Sequence, residues 1–156
     1  ELYLRRKEEG RPFGFYHFEV DLNGGPCLKK RVSGCGAGRE YLAIAPDGGV
    51  FPCHQFDGID HFYMGNVLGN VDLKTTAKRF GASSLGNKPD CEKCWARYYC
   101  GGGCFARAWN SRGNLLEPDP VACAIQRRRI ECAIYVQAAG EYKSTVYQSR
   151  ESRCAP

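Results

Sequence analysis

Four cysteines within fourteen residues constrain this chain more than any other feature. The run from Cys91 to Cys104 has the spacing C-x2-C-x5-C-x3-C. Two cysteines that bracket two residues turn both sulfurs to one side, so that they can bind one metal centre. Gly101 to Gly103 carry no Cβ, which lets backbone N–H groups approach a bulky inorganic core. The run predicts a metal or iron–sulfur site, with a zinc knuckle and a disulfide knot as the alternatives.

The length and the composition fit one small domain with reduced thiols. The chain has 156 residues and ten cysteines, more than an ordinary cytosolic protein carries. No apolar run reaches the length of a membrane span, and no secretory signal opens the sequence. We therefore expect a cytoplasmic protein whose cysteines bind metal rather than pair in disulfides. The basic runs at 29–31 and 127–129 are short and are typical of solvated faces rather than of a nucleic-acid surface.

The pattern of elements predicts a small, irregular α+β fold whose segments are held together by its metal centres. A β-hairpin is expected at about 41–53, where Asp47-Gly48-Gly49 forms the turn between two apolar strands. A C-terminal helix is expected at about 120–139, because Pro120 suits the first helical position. Cys123 falls in the first turn of that helix, where free N–H groups favour a thiolate.

Other segments give weaker signals. A helix is expected at 2–9. A second helix is expected at 73–80, with Asp72 as its N-terminal cap and Gly81 at its C-terminal end. Residues 82–90 read as a polar linker into the cysteine run. A short helix is expected from Phe105, and Gly113 ends it.

Several other thiol and imidazole groups are expected to have no ligand role. His17 and His54 are predicted to pack or to form hydrogen bonds. Cys132 lies nine residues beyond Cys123 on the same predicted helix, more than two turns away, and is expected to be a buried structural thiol. Cys154 belongs to a polar tail and is expected to be free.

Taken together, these cysteines resemble the seven-cysteine signature of the SPASM domain, the auxiliary-cluster extension of radical SAM enzymes that modify ribosomally made peptides. The pattern is Cys35, twelve residues, Gly48, four residues, Cys53, a gap, the four-cysteine run, a gap and Cys123. The phrases at 34–43 and 51–56 look closest to the maturases of SCIFF peptides, which are short cysteine-rich precursors. The resemblance covers roughly 1–140. It implies an N-terminal flank at 1–26 leading to an absent barrel, a SPASM domain at 27–140 and a C-terminal tail at 141–156.

The resemblance implies two [4Fe–4S] clusters whose ligands interleave along the chain. The ligands of the cluster remote from the SAM site would be Cys91, Cys94, Cys100 and Cys123. The ligands of the substrate-proximal cluster would be Cys35, Cys53, Cys104 and, as the fourth, Cys27. Since Cys27 lies outside the seven-cysteine signature, one iron has an open position for a substrate thiolate if that residue does not bind.

In such maturases a 5′-deoxyadenosyl radical abstracts hydrogen, and a thioether then joins a peptide Cys to an acceptor residue. The SAM cluster of such enzymes needs a C-x3-C-x2-C motif, and no cysteine trio of this sequence has that spacing. SAM and a third [4Fe–4S] cluster are therefore expected in the missing barrel, and this chain should be inactive alone. The implied partners are that radical SAM barrel and a Cys-rich precursor peptide, with no nucleic acid and no membrane.

Two alternatives belong to different functional classes. A structural zinc-binding interaction module would use Cys91, Cys94, Cys100 and Cys104. That choice leaves Cys35, Cys53 and Cys123 without a role. An extracellular disulfide scaffold conflicts with the lack of a secretory signal.

Overall fold

A short hairpin, a cluster of aromatic rings and a long C-terminal helix organise the chain. The computed structural model describes residues 1–22 and 25–139. The fold class is α+β, as the sequence predicts. The helices are α1 Leu2–Glu8, α2 Leu28–Ser33, α3 Leu73–Ala82, α4 Pro89–Glu92, α5 Arg97–Cys100, α6 Phe105–Arg112 and α7 Pro120–Ala139. The strands are β1 Ala43–Ile44 and β2 Val50–Phe51, and single 3-10 turns lie at Tyr16–Phe18, His54–Phe56, Asp60–Phe62 and Leu85–Asn87.

The predicted hairpin is present, with strands of two residues each. Strands β1 and β2 are antiparallel, and Ala43 lies opposite Phe51. The carboxylate of Asp47 accepts a hydrogen bond from the Gly49 N–H at 2.8 Å, which closes the turn. The Val50 N–H bonds the Gly65 carbonyl at 2.8 Å, so a third segment lines the hairpin. That segment makes isolated bridges only.

Helix α3 begins where the sequence predicts and ends two residues later. The carboxylate of Asp72 accepts the Thr75 N–H at 3.0 Å, a regular N-terminal cap. Gly81 does not end the helix, which continues to Ala82. The buried Phe80 packs against the core in the last turn and compensates for the weak helix propensity of that glycine.

Aromatic side chains fill the small core. Phe56 and Phe80 are fully buried, and Phe62 and Phe105 are 3% exposed. The Phe56 and Phe62 ring centroids are 4.0 Å apart, and Phe80 meets Phe105 edge-on at 5.2 Å. Burial of these rings supplies most of the apolar contact available to so short a chain. The core thus fixes α3, α6 and the segment after the hairpin to one another.

Helix α7 spans Pro120–Ala139, the bounds that the sequence predicts. Near its C-terminal end the Gln137 amide donates to the Val20 carbonyl at 2.6 Å, which joins the helix to the N-terminal segment. The helix buries Ile130, Ala133 and Val136. No helix among residues 1–22 and 25–139 is long and apolar enough to cross a membrane.

Two segments differ from the sequence prediction. Residues 82–90 are not a polar linker, because Leu85 and Lys88 within them are 4% and 2% exposed. Helix α2 leads from Cys27 toward Cys35. The sequence does not predict this helix, because its residues give no strong helix signal. The predicted tail at 141–156, including Cys154, lies outside the described residues.

Candidate functional site: two groups of thiols

Four cysteines, three from helices and one from a loop, line one cavity. The cavity has a volume of about 310 Å³, at the lower end of the range for ligand pockets. Its thiols come from α4, the loop after it, α5 and α7. We call these four residues the first thiol group: Cys91, Cys94, Cys100 and Cys123. They are the residues that the family resemblance assigns to the remote cluster.

Local backbone contacts hold the thiols of the α4–α5 region. Pro89 starts α4 and pre-sets its first turn, which carries Cys91. The Cys91 carbonyl accepts the Cys94 N–H at 3.1 Å, so the C-x2-C segment forms a tight turn. The Cys100 N–H bonds the Ala96 carbonyl at 2.8 Å within the next short helix. Both short helices therefore direct their thiols toward the cavity.

The start of α7 brings in Cys123. The Asp119 carboxylate accepts the Val121 N–H at 3.0 Å, and the Asp119 carbonyl accepts the Cys123 N–H at 2.9 Å. The Arg107 guanidinium donates twice to Asp119 Oδ2, at 2.9 and 2.7 Å. This ion pair holds the pKa of Asp119 below its usual value and ties α7 to α6.

The first thiol group places its ionisable sulfurs close together in a partly buried cavity. Burial raises the pKa of Cys91 to about 11, and nearby Lys88 opposes the rise. Burial also raises the pKa of Cys123, and the charge of Cys100 adds to the effect. The raised pKa values of Cys91 and Cys123 favour their protonated forms without a metal centre, whereas coordination to iron would stabilise the thiolates.

The charged lining of the cavity is mainly basic, which suits an anionic group. Three arginines line it, Arg97, Arg112 and Arg127, together with one carboxylate, Asp90. Gln126 also lines the cavity, and its amide oxygen is buried with no hydrogen-bond partner among the described residues. An iron–sulfur core with thiolate ligands carries net negative charge, so this lining fits such a group.

Three left-handed glycines separate Cys104 from Cys100. Gly101, Gly102 and Gly103 have φ values of 76°, 83° and 76°, a backbone region that residues with a Cβ avoid. The chain reverses there, and Cys104 does not line the cavity of the first thiol group. The glycine run thus lets one short segment contribute thiols to two places.

Cys104 belongs to a second set of neighbouring thiols. The second thiol group comprises Cys35, Cys53 and Cys104, of which Cys53 is buried and the other two are exposed. The Tyr41 hydroxyl lies 3.9 Å from Cys35 Sγ. Burial raises the pKa of Tyr41, and the charges of all three thiols raise it further. This group opens toward solvent, unlike the first.

The turn at 36–40 and the hairpin bring the second group together. The Gly36 carbonyl accepts the Glu40 N–H at 2.7 Å, and the Gly38 N–H bonds the Pro52 carbonyl at 2.9 Å. The latter bond places the Cys35 loop beside the end of the hairpin, where Cys53 begins a 3-10 turn. Burial raises the pKa of Cys53, and the charges of Cys104 and Cys35 raise it as well.

The remaining cysteines and histidines differ from these two groups. Cys27 takes part in a disulfide, whereas the other eight cysteines of the described residues are free thiols. Cys132 is half-buried rather than buried and does not line the cavity. His54 is exposed and contacts the Gln55 amide at 3.1 Å, and His17 packs on Tyr16 with ring centroids 3.9 Å apart.

Four thiols around one cavity are a donor set that an iron–sulfur core can use. No three His, Cys, Asp or Glu side chains of the described residues are close enough to hold one metal ion. Tetrahedral zinc needs four sulfurs about 2.3 Å from one centre. A [4Fe–4S] core binds each thiolate on a different iron, so its ligands stand farther apart. Four thiols around a cavity fit the cluster, and the zinc set with Cys104 in it is not assembled.

The sequence does not predict that Lys88, next to the thiols, is buried. Lys88 Nζ donates to the Gly102 carbonyl at 2.8 Å and lies 4.7 Å from the centre of the Phe105 ring. Burial lowers the pKa of Lys88, while thiolate charges from both groups raise it. In the sequence Lys88 stands among polar residues before Cys91 and resembles any surface lysine.

Comparison with known proteins finds a family match over part of the chain. Residues 35–95 match the SPASM family, an iron–sulfur cluster-binding domain. Over this segment the chain is similar to SPASM domains. The match includes Cys35, Cys53, Cys91 and Cys94, so thiols from both groups lie within it.

The relatives of this chain include proteins named as a peptide cyclase and a maturase. A PqqA peptide cyclase of Methylorubrum extorquens is 30% identical over 94 residues, 58% of this chain and 24% of the relative. The mycofactocin maturase MftC of Mycobacterium tuberculosis is 34% identical over 90 residues, 55% of this chain and 23% of the relative. An uncharacterised protein of Archaeoglobus fulgidus is 26% identical over 126 residues, 79% of this chain and 30% of that protein. The matching part thus spans less than a third of each of these relatives.

Proposed function

We propose that the two thiol groups bind two [4Fe–4S] clusters of a radical SAM peptide maturase. The observation that carries the proposal is the separation of seven thiols into a four-thiol cavity and a three-thiol group. The first thiol group would ligate the remote cluster. The second thiol group would ligate the substrate-proximal cluster, with Cys27 as its fourth ligand when its thiol is free. In this proposal residues 27–140 are the cluster-binding unit and 1–26 the connection to a radical SAM barrel.

The proposed reaction of the complete enzyme is thioether formation in a ribosomally made, Cys-rich precursor peptide. The cyclase and maturase names of two relatives support a peptide substrate. The SCIFF-like phrases at 34–43 and 51–56 support the thioether in particular. SAM and its own cluster would lie in the barrel, and the enzyme would act in the cytoplasm, where thiols stay reduced.

The exposure of the second thiol group suits it to meet the peptide. Bound iron–sulfur clusters supply an electron acceptor and a site that lowers the pKa of a ligated thiol. Cys35 and Cys104 are exposed, so a peptide can approach this side. Tyr41, which is 43% exposed and adjoins Cys35, would border the approaching segment. The first thiol group, in its arginine-lined cavity, would serve structure and electron transfer.

Iron and sulfide analysis of anaerobically purified protein tests the proposal. We expect brown protein with broad visible absorption and about eight iron and eight labile sulfide per chain. Colourless protein with one zinc per chain would replace the proposal by a zinc module. Metal-free protein with oxidised cysteines would replace it by a disulfide scaffold.

A further inference from the structure

We infer that the buried ammonium of Lys88 is a fixed positive charge between the two cluster sites that raises the reduction potentials of both. The inference rests on the proposed function, because it requires clusters in both thiol groups. It assigns a positioning and electrostatic role to a residue outside both ligand sets.

The position of Lys88 is fixed at both ends. Its carbonyl accepts the Cys91 N–H at 2.9 Å, which attaches its backbone to the first thiol group. Its Nζ donates to the Gly102 carbonyl at 2.8 Å, in the turn between Cys100 and Cys104. The side chain therefore runs from one thiol-bearing segment to another.

Gly102, with a left-handed φ of +83°, presents its carbonyl to the ammonium. Lys88 packs closely on this turn, because its Cδ and Nζ lie 3.5 and 3.7 Å from the position of an added Gly102 Cβ, an ordinary contact distance. Phe105 covers the ammonium from another side, with its ring centre at 4.7 Å. The charge is thus held in a defined and dehydrated place.

The charge of Lys88 has no carboxylate partner among the residues that the structure describes. Asp119 is the other buried charged residue of the described chain, and it pairs with Arg107. None of the ion pairs within residues 1–22 and 25–139 includes Lys88. A lysine that is 2% exposed is costly unless negative charge lies near it. Cys91 and Cys100 of the first group and Cys35 and Cys104 of the second lie near enough to interact electrostatically with the ammonium once they are thiolates, so clusters in both groups can provide that charge.

A fixed cation stabilises the more negative, reduced form of a nearby cluster. Lys88→Met removes the charge and keeps much of the side-chain volume. We expect the equilibrium for one-electron reduction of each cluster to become less favourable by about tenfold, which lowers each potential by about 59 mV. Redox titration of the iron-loaded full chain, followed by electron paramagnetic resonance, measures both potentials.

Matched variants separate charge from structure. Lys74→Met, the same change at an exposed lysine of α3, should leave both potentials at the wild-type values. Fully loaded Lys88→Met with unchanged potentials would overturn the inference while leaving the two-cluster proposal intact. A wild-type chain without iron would instead overturn the proposed function itself.

Two further variants decide the case if Lys88→Met loads iron poorly. Lys88→Arg keeps the charge, and Lys88→Gln keeps a donor for the Gly102 carbonyl without the charge. Recovery of iron loading by Lys88→Arg alone would support the electrostatic role. Recovery by Lys88→Gln would assign Lys88 to hydrogen bonding and contradict the inference.

Discussion

At the scale of single residues, thiols with similar burial have different structural roles. Cys94 and Cys132 are both half-buried free thiols, but only Cys94 lines the cavity. The difference arises from the partners around each thiol, since Cys94 lies in a tight turn beside Cys91. Spacing predicts such a turn, whereas accessibility alone would not distinguish the two residues.

Replacement of one thiol in the first group should release one cluster. Cys94→Ala removes a ligand, so we expect a loss of about four iron per chain, because a [4Fe–4S] core with three protein thiolates is less firmly held. Cys132→Ala is the matched control and should keep the wild-type iron content. Iron analysis after anaerobic purification checks both. Wild-type iron in Cys94→Ala would contradict the ligand assignment.

Gly65 is a residue whose replacement should damage the fold directly. Its φ is +121°, and a Cβ would stand 1.9 Å from the Asn70 carbonyl oxygen. Gly65→Ala should therefore lower the free energy of unfolding by at least about 3 kcal/mol. Gly58→Ala is the control, with a φ of +75° and no atom within 4 Å of the added Cβ; it should cost about 1–2 kcal/mol. Anaerobic urea unfolding measures both, and equal effects would show that the clash at Gly65 is relieved by movement.

At the scale of elements, local sequence predicts those parts whose signals are themselves local. Pro120 gives the start of α7, and Asp47-Gly48-Gly49 gives the hairpin turn, because turn and cap chemistry acts within a few residues. The end of α3 at Ala82 rather than Gly81 depends on Phe80 packing into a core assembled from distant segments. Helix α2, of six residues, lacks a cap signal and depends on tertiary contacts.

Among the elements, α7 connects Asp119 to the first thiol group. Asp119→Ala removes the side-chain cap and the Arg107 pair but keeps the backbone bond to Cys123, so the first turn of α7 is held less firmly. We expect a chelator to remove iron about tenfold faster from that cluster, the scale of effect that partners of metal ligands have. Asp72→Ala removes the cap of α3, which carries no cysteine, and should leave the rate unchanged. The decay of visible absorption measures the rate, and equal rates in the two variants would contradict a specific role for Asp119.

At the scale of the whole molecule, the thiol groups interleave along the chain. The first group spans 91–123 and the second spans 35–104, so each joins segments that the aromatic core alone holds loosely. The seven-cysteine pattern predicts this interleaving through family resemblance. The sequence does not predict the burial of Lys88, because that burial depends on the Gly101–Gly103 turn, whose conformation a pattern of residue spacings does not describe.

Removal of both clusters should destabilise the entire chain. Ligation free energy is also folding free energy when ligands come from distant segments. We expect the iron-free chain under reducing conditions to lose its cooperative thermal transition or to unfold at least about 10 °C lower. Circular dichroism against temperature checks this. An unchanged transition in iron-free protein would show that the aromatic core suffices.

The most direct test of two clusters in two thiol groups is anomalous X-ray scattering at the iron edge from crystals of the anaerobic protein. The account predicts two separate iron peaks, one among Cys91, Cys94, Cys100 and Cys123 and one beside Cys35, Cys53 and Cys104. A single peak, or a peak at the zinc edge in place of iron, would contradict it.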